Sequence, residues 1–476
     1  MIQIHNEDTI FAPATVPGTG AISIIRVSGA QAFEICDKMI RCRKGSIKES
    51  KGYSIKFGTV EYEGSLLDEV LVSIFRAPHS YTGEDSVEIS CHASSYIVSC
   101  IMELLHKLGG RAAGPGEFTQ RAFLNGKMDL AQAEAVADVI SSQGKAAHNV
   151  AFKQMKGGFS AELRSMREEL LEIVSLMELE LDFSEEDVEF ADRTRLDTLL
   201  QQITDHVSRL IDSFRLGNAI KNGVPVAIAG ATNTGKSTLL NALLGEERAI
   251  VSDIHGTTRD TIEEVFNIDG ILFRFIDTAG LRDTTEVVEK IGIERTFRKI
   301  SEASIILAMI DLTRDFQTTS ETVTEIVEKV DFMTQKLVIL LNKTDICGIN
   351  KNVSTLNFIV SLLENKGIRK EDVALIPISA KTGHGVNELR KHLAETQKDL
   401  LGDNGTTLVT NQRHAQALTD ARTSLLRVRE GLALGLPTDL ASQDIRETIY
   451  HIGSIVGEIS TDEVLGNIFS NFCIGK

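Results

Sequence analysis

Between Gly230 and Thr238 the chain reads GATNTGKST, which fits G-x-x-x-x-G-K-[ST]. The run follows the apolar PVAIAG and opens a helical pattern, the context in which such a loop cradles phosphate. No other feature constrains the fold as much, because a loop of this kind belongs where a buried strand turns into a helix. Gly230 and Gly235 let the backbone curl until successive N–H groups face a phosphate, and the helix N-terminus adds partial positive charge. Lys236 reaches the β- and γ-phosphates, and the Ser237 hydroxyl is a Mg²⁺ ligand in such loops. Asn233, Thr234 and Thr238 fill out the loop.

Three further motifs follow in order, each near the end of an apolar run. DTAG, from Asp277 through Thr278 and Ala279 to Gly280, closes LFRFID; an Asp there holds Mg²⁺ through water, and the Gly N–H senses a γ-phosphate. NKTD, from Asn342 through Lys343 to Asp345, closes KLVILLN. A carboxylate at Asp345 accepts the N1–H and exocyclic amine of guanine, a pairing adenine cannot offer, and a buried acceptor facing the wrong base is strongly disfavoured. SAKTG begins at Ser379 with Ala380 and Lys381 and brings a backbone N–H toward the guanine oxygen. Each motif alone is an ordinary strand-end turn; all four in this order predict a GTPase domain.

Ras-like enzymes carry a water-orienting Gln directly after DxxG, and here that position is Leu281. The polar residues nearby are Arg282, Asp283, Glu286, Glu289 and Lys290. GTTRD (Gly256–Asp260) lies where a switch loop presents a Thr to Mg²⁺, either Thr257 or Thr258.

The runs PVAIAG, LFRFID, SIILAMID, KLVILLN and ALIPIS alternate with helical stretches, as strands of a parallel sheet covered on both faces do. The flanks differ. GAISIIRV and SVEISCH are short, β-branched and partly alternating, the strands of a small α+β domain with RKGSIKESKGYS as a loop between them. MDLAQAEAVADVISSQ is helical, and Leu163, Met166, Leu170, Ile173 and Met177 recur at the spacing of one helix face, as bundle core. The acidic DFSEEDVEFADR reads as a solvated loop or helix start, and more helix follows to about Arg215. LGNAIKNG, with Gly217 and Gly223 about a polar turn, reads as a joint. Helix returns in RHAQALTDARTSLLRVREGL and QDIRETIYHIGSIVGEI. The expected architecture is multidomain, α+β and α/β: a small α+β domain over 1–122, a discontinuous helical domain over 123–219 and 396–476, and an inserted, doubly wound, mostly parallel P-loop domain over 220–395.

A length of 476 residues allows two to four domains, and a formal charge of −17 excludes a general nucleic-acid-binding surface. A nucleic-acid partner must meet a local patch or be held by a second protein. No apolar run approaches the roughly 18–20 residues of a membrane span, and the N-terminus lacks the layout of a signal or transit peptide. The six cysteines, at 36, 42, 91, 100, 347 and 473, form no CxxC pair and read as reduced thiols of a cytoplasmic protein.

DTIFAPAT, GTGAISIIRVSG, GPGEFTQRAFLNGKMDLAQAEA, GTTRD, DTAGLR with VEKIGIER, NKTD and the terminal FCIGK together resemble the MnmE (TrmE) tRNA modification GTPases, across all segments of the chain. That resemblance implies an N-terminal domain that dimerises and binds a tetrahydrofolate derivative, 5-formyl- or 5,10-methylene-tetrahydrofolate. It also implies an FAD- and NADH-using MnmG-type partner in a heterotetramer. Together they would place a carboxymethylaminomethyl or aminomethyl group at C5 of the wobble uridine of certain tRNAs.

Residue by residue, the resemblance implies K⁺ held by Asn233, Ser252, Ile254 and Thr257, in a GTP-binding loop that also contains Asp253, His255 and Gly256. It implies Mg²⁺ held by Ser237 and Thr258, a water-activating Glu289, and a folate site of Arg26, Glu88, Lys127 and Lys476. Cys473 stands in the terminal CIGK, which has Gly where a prenylation box wants an aliphatic residue. A buried thiol and a nucleophile at uridine C6 or in one-carbon handling both stay open for it. The chain departs from the family at Thr232 (usually Pro), at Thr238 (commonly Ser), and at SCHASS, where the family has HGG after the Glu88 strand. A second reading keeps the GTPase domain but makes the chain a GTP-controlled assembly switch without substrate chemistry.

Overall fold

The computed structural model describes residues 8–182, 193–244, 264–276, 301–397, 407–434, 438–459, 462–470, 472 and 474–475. The chain divides into two units. Residues 1–140, 151–208 and 416–476 form the first, and residues 141–150 with 209–415 form the second.

Alternating residues build the sheet of the first unit. Its strands are β1 (Ile10–Pro13), β2 (Ile22–Ser28), β3 (Ile40–Cys42), β4 (Ser54–Tyr62), β5 (Ser65–Phe75), β6 (Ser86–His92) and β7 (Arg111–Ala112), in the spatial order β3-β4-β5-β6-β2-β1-β7. Ile25 and Val27 of β2, Val70, Val72 and Ile74 of β5, and Val87 and Ile89 of β6 share the buried face. That face is covered by α1 (Ala32–Met39) and α2 (Ser95–Lys107), through Phe33, Ile101 and Leu105 among others. Full burial of each such side chain contributes at most about 1.5–3 kcal/mol. The opposite face carries Arg26 paired in register with Glu88, and leaves Ile22, Ile55 and Leu71 exposed.

The helices of the first unit include α3 (Glu117–Leu124), α4 (Leu130–Ser141) and α6 (Gly158–Asp182), with α5 (Lys145–Met155) between the last two. The predicted stripe of α6 is buried, with Leu163, Met166, Leu170, Ile173 and Met177 no more than 2% exposed. Helix α7 (Arg193–Asn222) precedes the second unit's sheet, and α12 (Gln412–Ala433), α13 (Thr438–Val456) and α14 (Asp462–Ser470) end the chain. Helix α13 packs along α6, and its buried Ile445, Ile449, Ile452 and Val456 keep the helical spacing. Leu465 and Phe469 of α14 close on Leu130 and Ala133.

The second unit is a doubly wound sheet. Its strands β8 (Val224–Ala229), β9 (Glu264–Ile268), β10 (Ile271–Phe275), β11 (Ile305–Asp311), β12 (Lys336–Asn342) and β13 (Val373–Pro377) lie in the order β13-β12-β11-β8-β10-β9. All neighbours pair parallel except β9 with β10. Helices α8 (Lys236–Leu244), α9 (Phe316–Val327), α10 (Ile349–Asn365) and α11 (Val386–Thr396) alternate with the strands. Burial on both faces explains the unbroken apolar runs: every residue of β11 is buried. At the head of α9, the Asp315 side chain accepts from the Thr318 N–H at 2.8 Å.

Two local readings change in the structure. Strand β9 has no counterpart among the predicted strands, although the Asp269-Gly270 turn that joins it to β10 is a hairpin signal. Both turn residues have positive φ, +52° and +85°. The expected joint at 217–223 is helix up to Asn222, and the turn reduces to Gly223 at φ +86°. Gly217 is no breaker; a Cβ there would lie 2.1 Å from the Val409 carbonyl, so glycine lets that segment lie against α7. From α5, Ala146, Ala147 and Val150 pack into the core of the second unit. Among the described residues, no helix is long and apolar enough to cross a membrane.

Candidate functional site

The loop between β8 and α8 carries the residues predicted to meet phosphate. Asn233 takes φ +63° and Gly235 φ +98°, so the chain reverses within a few residues. The Lys236 ammonium donates to the Gly230 and Ala231 carbonyls at 2.7 and 2.9 Å. Among the described residues no carboxylate neutralises it, and burial holds its pKa below the ordinary lysine value. A half-buried cation lying across its own loop, with no counter-ion among the described residues, suits a polyphosphate. Ser237 is half-buried at the head of α8, and Asn233 and Thr238 are exposed.

Asn342, at the end of β12, joins three motifs that are far apart in sequence. Its Nδ2 donates to the Thr234 carbonyl at 2.6 Å, and its Oδ1 accepts from the Ala380 N–H at 3.0 Å. The approach is so close that a Cβ on Gly235 would stand 2.4 Å from Asn342 Nδ2. Asp345 is exposed, and its Oδ1 accepts from the Ser379 hydroxyl at 2.7 Å, which orients the carboxylate. Lys381 is exposed on the adjoining loop. Lys343, at φ +72°, donates to Asp311 Oδ2 at 2.7 Å.

Asp311 ends β11 and is absent from the predicted set. Its Oδ1 accepts from the N–H and hydroxyl of Thr313 at 2.9 and 2.6 Å. Burial pushes its carboxyl up, but the Lys343 ammonium and the Thr313 donors outweigh burial and hold it below the usual aspartate range. The signal in the sequence was the Asp that closes SIILAMID, at the edge of a parallel sheet where ligands bind.

A second polar cluster lies in the first unit. Arg26 donates from Nε and Nη2 to Glu88 Oε1 at 3.0 and 2.8 Å across the β2–β6 pair. Its guanidinium lies 5.1 Å from the centre of the Tyr81 ring and 5.7 Å from that of Phe118. Tyr81 in turn shares a 2.9 Å hydrogen bond with Thr119. Lys127 donates to the Pro78 carbonyl at 2.9 Å and Asn125 Nδ2 to the Thr82 carbonyl at 2.8 Å, so the loop bearing Tyr81 is tied to the segment bearing Lys127. Ile474 pairs with Pro115, and Gly475 abuts the Pro13 carbonyl on the strand beside β2. At the SCHASS departure, the His92 ring meets Asp68 at 2.7 Å and buried Ala93 stands 3.7 Å from a Cβ placed on Gly20.

Beneath this cluster Arg121 is 1% exposed, donating to Glu84 at 3.1 Å and Glu117 at 3.2 Å. Arg111 clamps the other side of Glu117 at 2.6 and 3.0 Å. Sequence reasoning passed over Tyr81, Phe118, Arg121 and Glu117. Only the Glu117–Arg121 spacing of four on one helix hinted at a pair.

Several predicted site residues lie outside the described residues: Ser252, Asp253, Ile254, His255, Gly256, Thr257 and Thr258 of the switch loop; Asp277, Thr278, Ala279 and Gly280 of DTAG; Glu289, Cys473 and Lys476. Among the described residues, no three His, Cys, Asp or Glu side chains gather as metal ligands.

Sheet order, P-loop and base loops define a P-loop GTPase domain carried by a larger α+β and helical framework. The chain matches the family model of the MnmE helical domain over residues 130–473 and that of the GTP-binding protein TrmE N-terminus over residues 9–127. It is 50% identical over 473 residues to the tRNA modification GTPase MnmE of Parabacteroides distasonis, covering 98% of this chain and all of that protein. The proteins of the same description from Flavobacterium johnsoniae and Bacteroides thetaiotaomicron are each 51% identical, over 99% of this chain and their full lengths. The chain belongs to the MnmE family, and it is a GTPase of tRNA modification.

Proposed function

We propose that this GTPase acts with an FAD-dependent MnmG-type partner to add a carboxymethylaminomethyl or aminomethyl group at C5 of the wobble uridine of certain tRNAs. The carbon comes from a tetrahydrofolate derivative bound at Arg26 and Glu88. The observation that carries this reading is the Arg26–Glu88 pair, set over Tyr81 and Phe118 beside the strand that the C-terminal Gly475 abuts. A guanidinium suits the glutamyl carboxylates of a folate, and a carboxylate suits the paired N–H donors of a pterin. Lys127 and Lys476 supply further cations, and Cys473 is the candidate nucleophile for the one-carbon chemistry. The open sheet face with Ile22, Ile55 and Leu71 exposed supports dimerisation through this unit. With a charge of −17 on this chain, the flavoprotein supplies much of the tRNA-binding surface.

At the nucleotide, Asp345 and Ser379 select guanine, Asn342 keeps their loop in register with the P-loop, and Lys236 meets the β- and γ-phosphates. Ser237 and Thr258 hold Mg²⁺. Asn233, Ser252, Ile254 and Thr257 hold K⁺, which supplies positive charge where other GTPases use an arginine finger. Glu289 orients the attacking water that Leu281 cannot polarise. Titration of the purified chain with 5-formyl-tetrahydrofolate, beside an Arg26→Ala variant, tests the one-carbon half of this reading. Saturable binding that the variant loses is expected; no binding by the unaltered chain overturns the folate assignment.

A further inference from the structure

We propose that Asp311 is a positioning residue for nucleotide binding, acting through Lys343. This rests on the assignment of NKTD as the guanine-binding loop. Lys343 follows Asn342, the residue that locks this loop to the P-loop, and precedes Asp345 by two positions. Its backbone is in the left-handed region at φ +72°, a conformation uncommon for a residue with a Cβ and kept only where its surroundings enforce it. The Lys343 carbonyl accepts from the Ile346 and Cys347 N–H groups, and at the far end of its side chain stands Asp311, 3% exposed, on the neighbouring strand.

Asp311 has the features of an anchor. Its two oxygens divide their work: Oδ1 takes both Thr313 donors, which fixes the carboxylate plane, and Oδ2 points to the Lys343 ammonium at 2.7 Å. Arg314, half-exposed and 3.8 Å away, is a looser neighbour. The carboxylate ends β11 exactly opposite Asn342 in the parallel register, so the anchor and the loop it serves are set by the same strand pair.

Between its Cα in the base loop and its ammonium on Asp311, Lys343 holds four methylenes in a fixed direction. An unanchored lysine stem samples many rotamers, and a base that packs against it must order them on binding. With the ammonium held before the base arrives, the stem is preorganised as one wall of the guanine site. Asp311 therefore favours nucleotide binding without touching the nucleotide, and it takes no part in hydrolysis.

The test uses the full chain, fluorescent GDP, and the variants Asp311→Asn, Lys343→Met and the two combined. Asp311→Asn keeps the shape and removes the charge, and Lys343→Met keeps an apolar stem and removes the anchored group. Each single variant is expected to weaken GDP by about tenfold, mostly through faster release, and the combined variant by no more than the larger of the two single losses. In steady state, Asp311→Asn raises KM for GTP and leaves kcat within about twofold, as loss of uniform binding does. Losses that add in the combined variant, or unchanged GDP affinity in folded Asp311→Asn, overturn the proposal while the guanine site stands. Failure of the unaltered chain to bind GDP overturns the site assignment and the proposal together.

Discussion

Around the P-loop the decisive polar contacts run from side chain to backbone: Asn342 to the Thr234 carbonyl and the Ala380 N–H, Lys236 to the Gly230 and Ala231 carbonyls. Around Arg26 they run from side chain to side chain, with Arg26 on Glu88 and Arg121 on Glu84 and Glu117. A backbone partner is present whatever residue supplies it, so the first kind of site needs few specified positions and compresses into short motifs. A side-chain partner must itself be specified at a distant position, so the second kind spreads over residues 26 to 121. The two also differ in charge balance. Lys236 is left without a carboxylate among the described residues, ready for an anion, whereas Arg26 and Arg121 are already neutralised.

The comparison breaks most decisively at Glu117. Glu117→Ala strips the acceptor shared by Arg111 and the fully buried Arg121, and should destabilise the first unit by about 3–5 kcal/mol. Denaturant unfolding followed by circular dichroism measures this; an equal loss of GDP affinity would show that the two sites are not independent. Next comes Lys236→Met, which removes the unneutralised ammonium and should lower GTP turnover by roughly 10²–10³-fold. The proposed folate binding, measured in the same sample, should be untouched, and a parallel loss there would count against separate sites.

The pH dependence sharpens the contrast. Burial raises the Glu117 carboxyl, but Arg111, the Gly114 N–H and Arg121 outweigh it and hold the folded pKa below the ordinary glutamate value. Its stabilisation is therefore complete above the unfolded pKa of about 4.3 and is lost as pH falls through the lower folded value. Acid titration of unfolding should show a steep limb in that window, and Glu117→Gln should flatten it. The smallest effect belongs to Asp315→Ala at the head of α9, about 1 kcal/mol from the lost cap. It should lower the melting temperature of the second unit alone; a shift in the first unit would be unexpected.

The second unit was the more legible in sequence. Runs such as IILAMID and KLVILLN announce strands buried on both faces, and the loop motifs fall at their ends. Strand β9 escaped because EVFNI is short and half-polar, and its Asp-Gly turn was the better clue. Asp311 escaped because a lone strand-end Asp has meaning only once Lys343 is seen to reach it. In the first unit, Arg26 and Glu88 were named from family resemblance, while the aromatic floor of Tyr81 and Phe118 and the buried Arg121 had no local signature.

By itself the sequence determined the guanine-nucleotide chemistry, the alternation of sheet and helix, and the buried stripe of α6. Each of these depends on residues near one another in the chain and on periodicities set by backbone geometry. Only the tertiary structure decided that Asn342 ties the P-loop to both base loops, that Gly217 belongs to a helix, and that Lys343 ends on Asp311. Those facts depend on which distant segments come within 3 Å of each other, and no local pattern encodes a distance between strands that the chain reaches through separate helices.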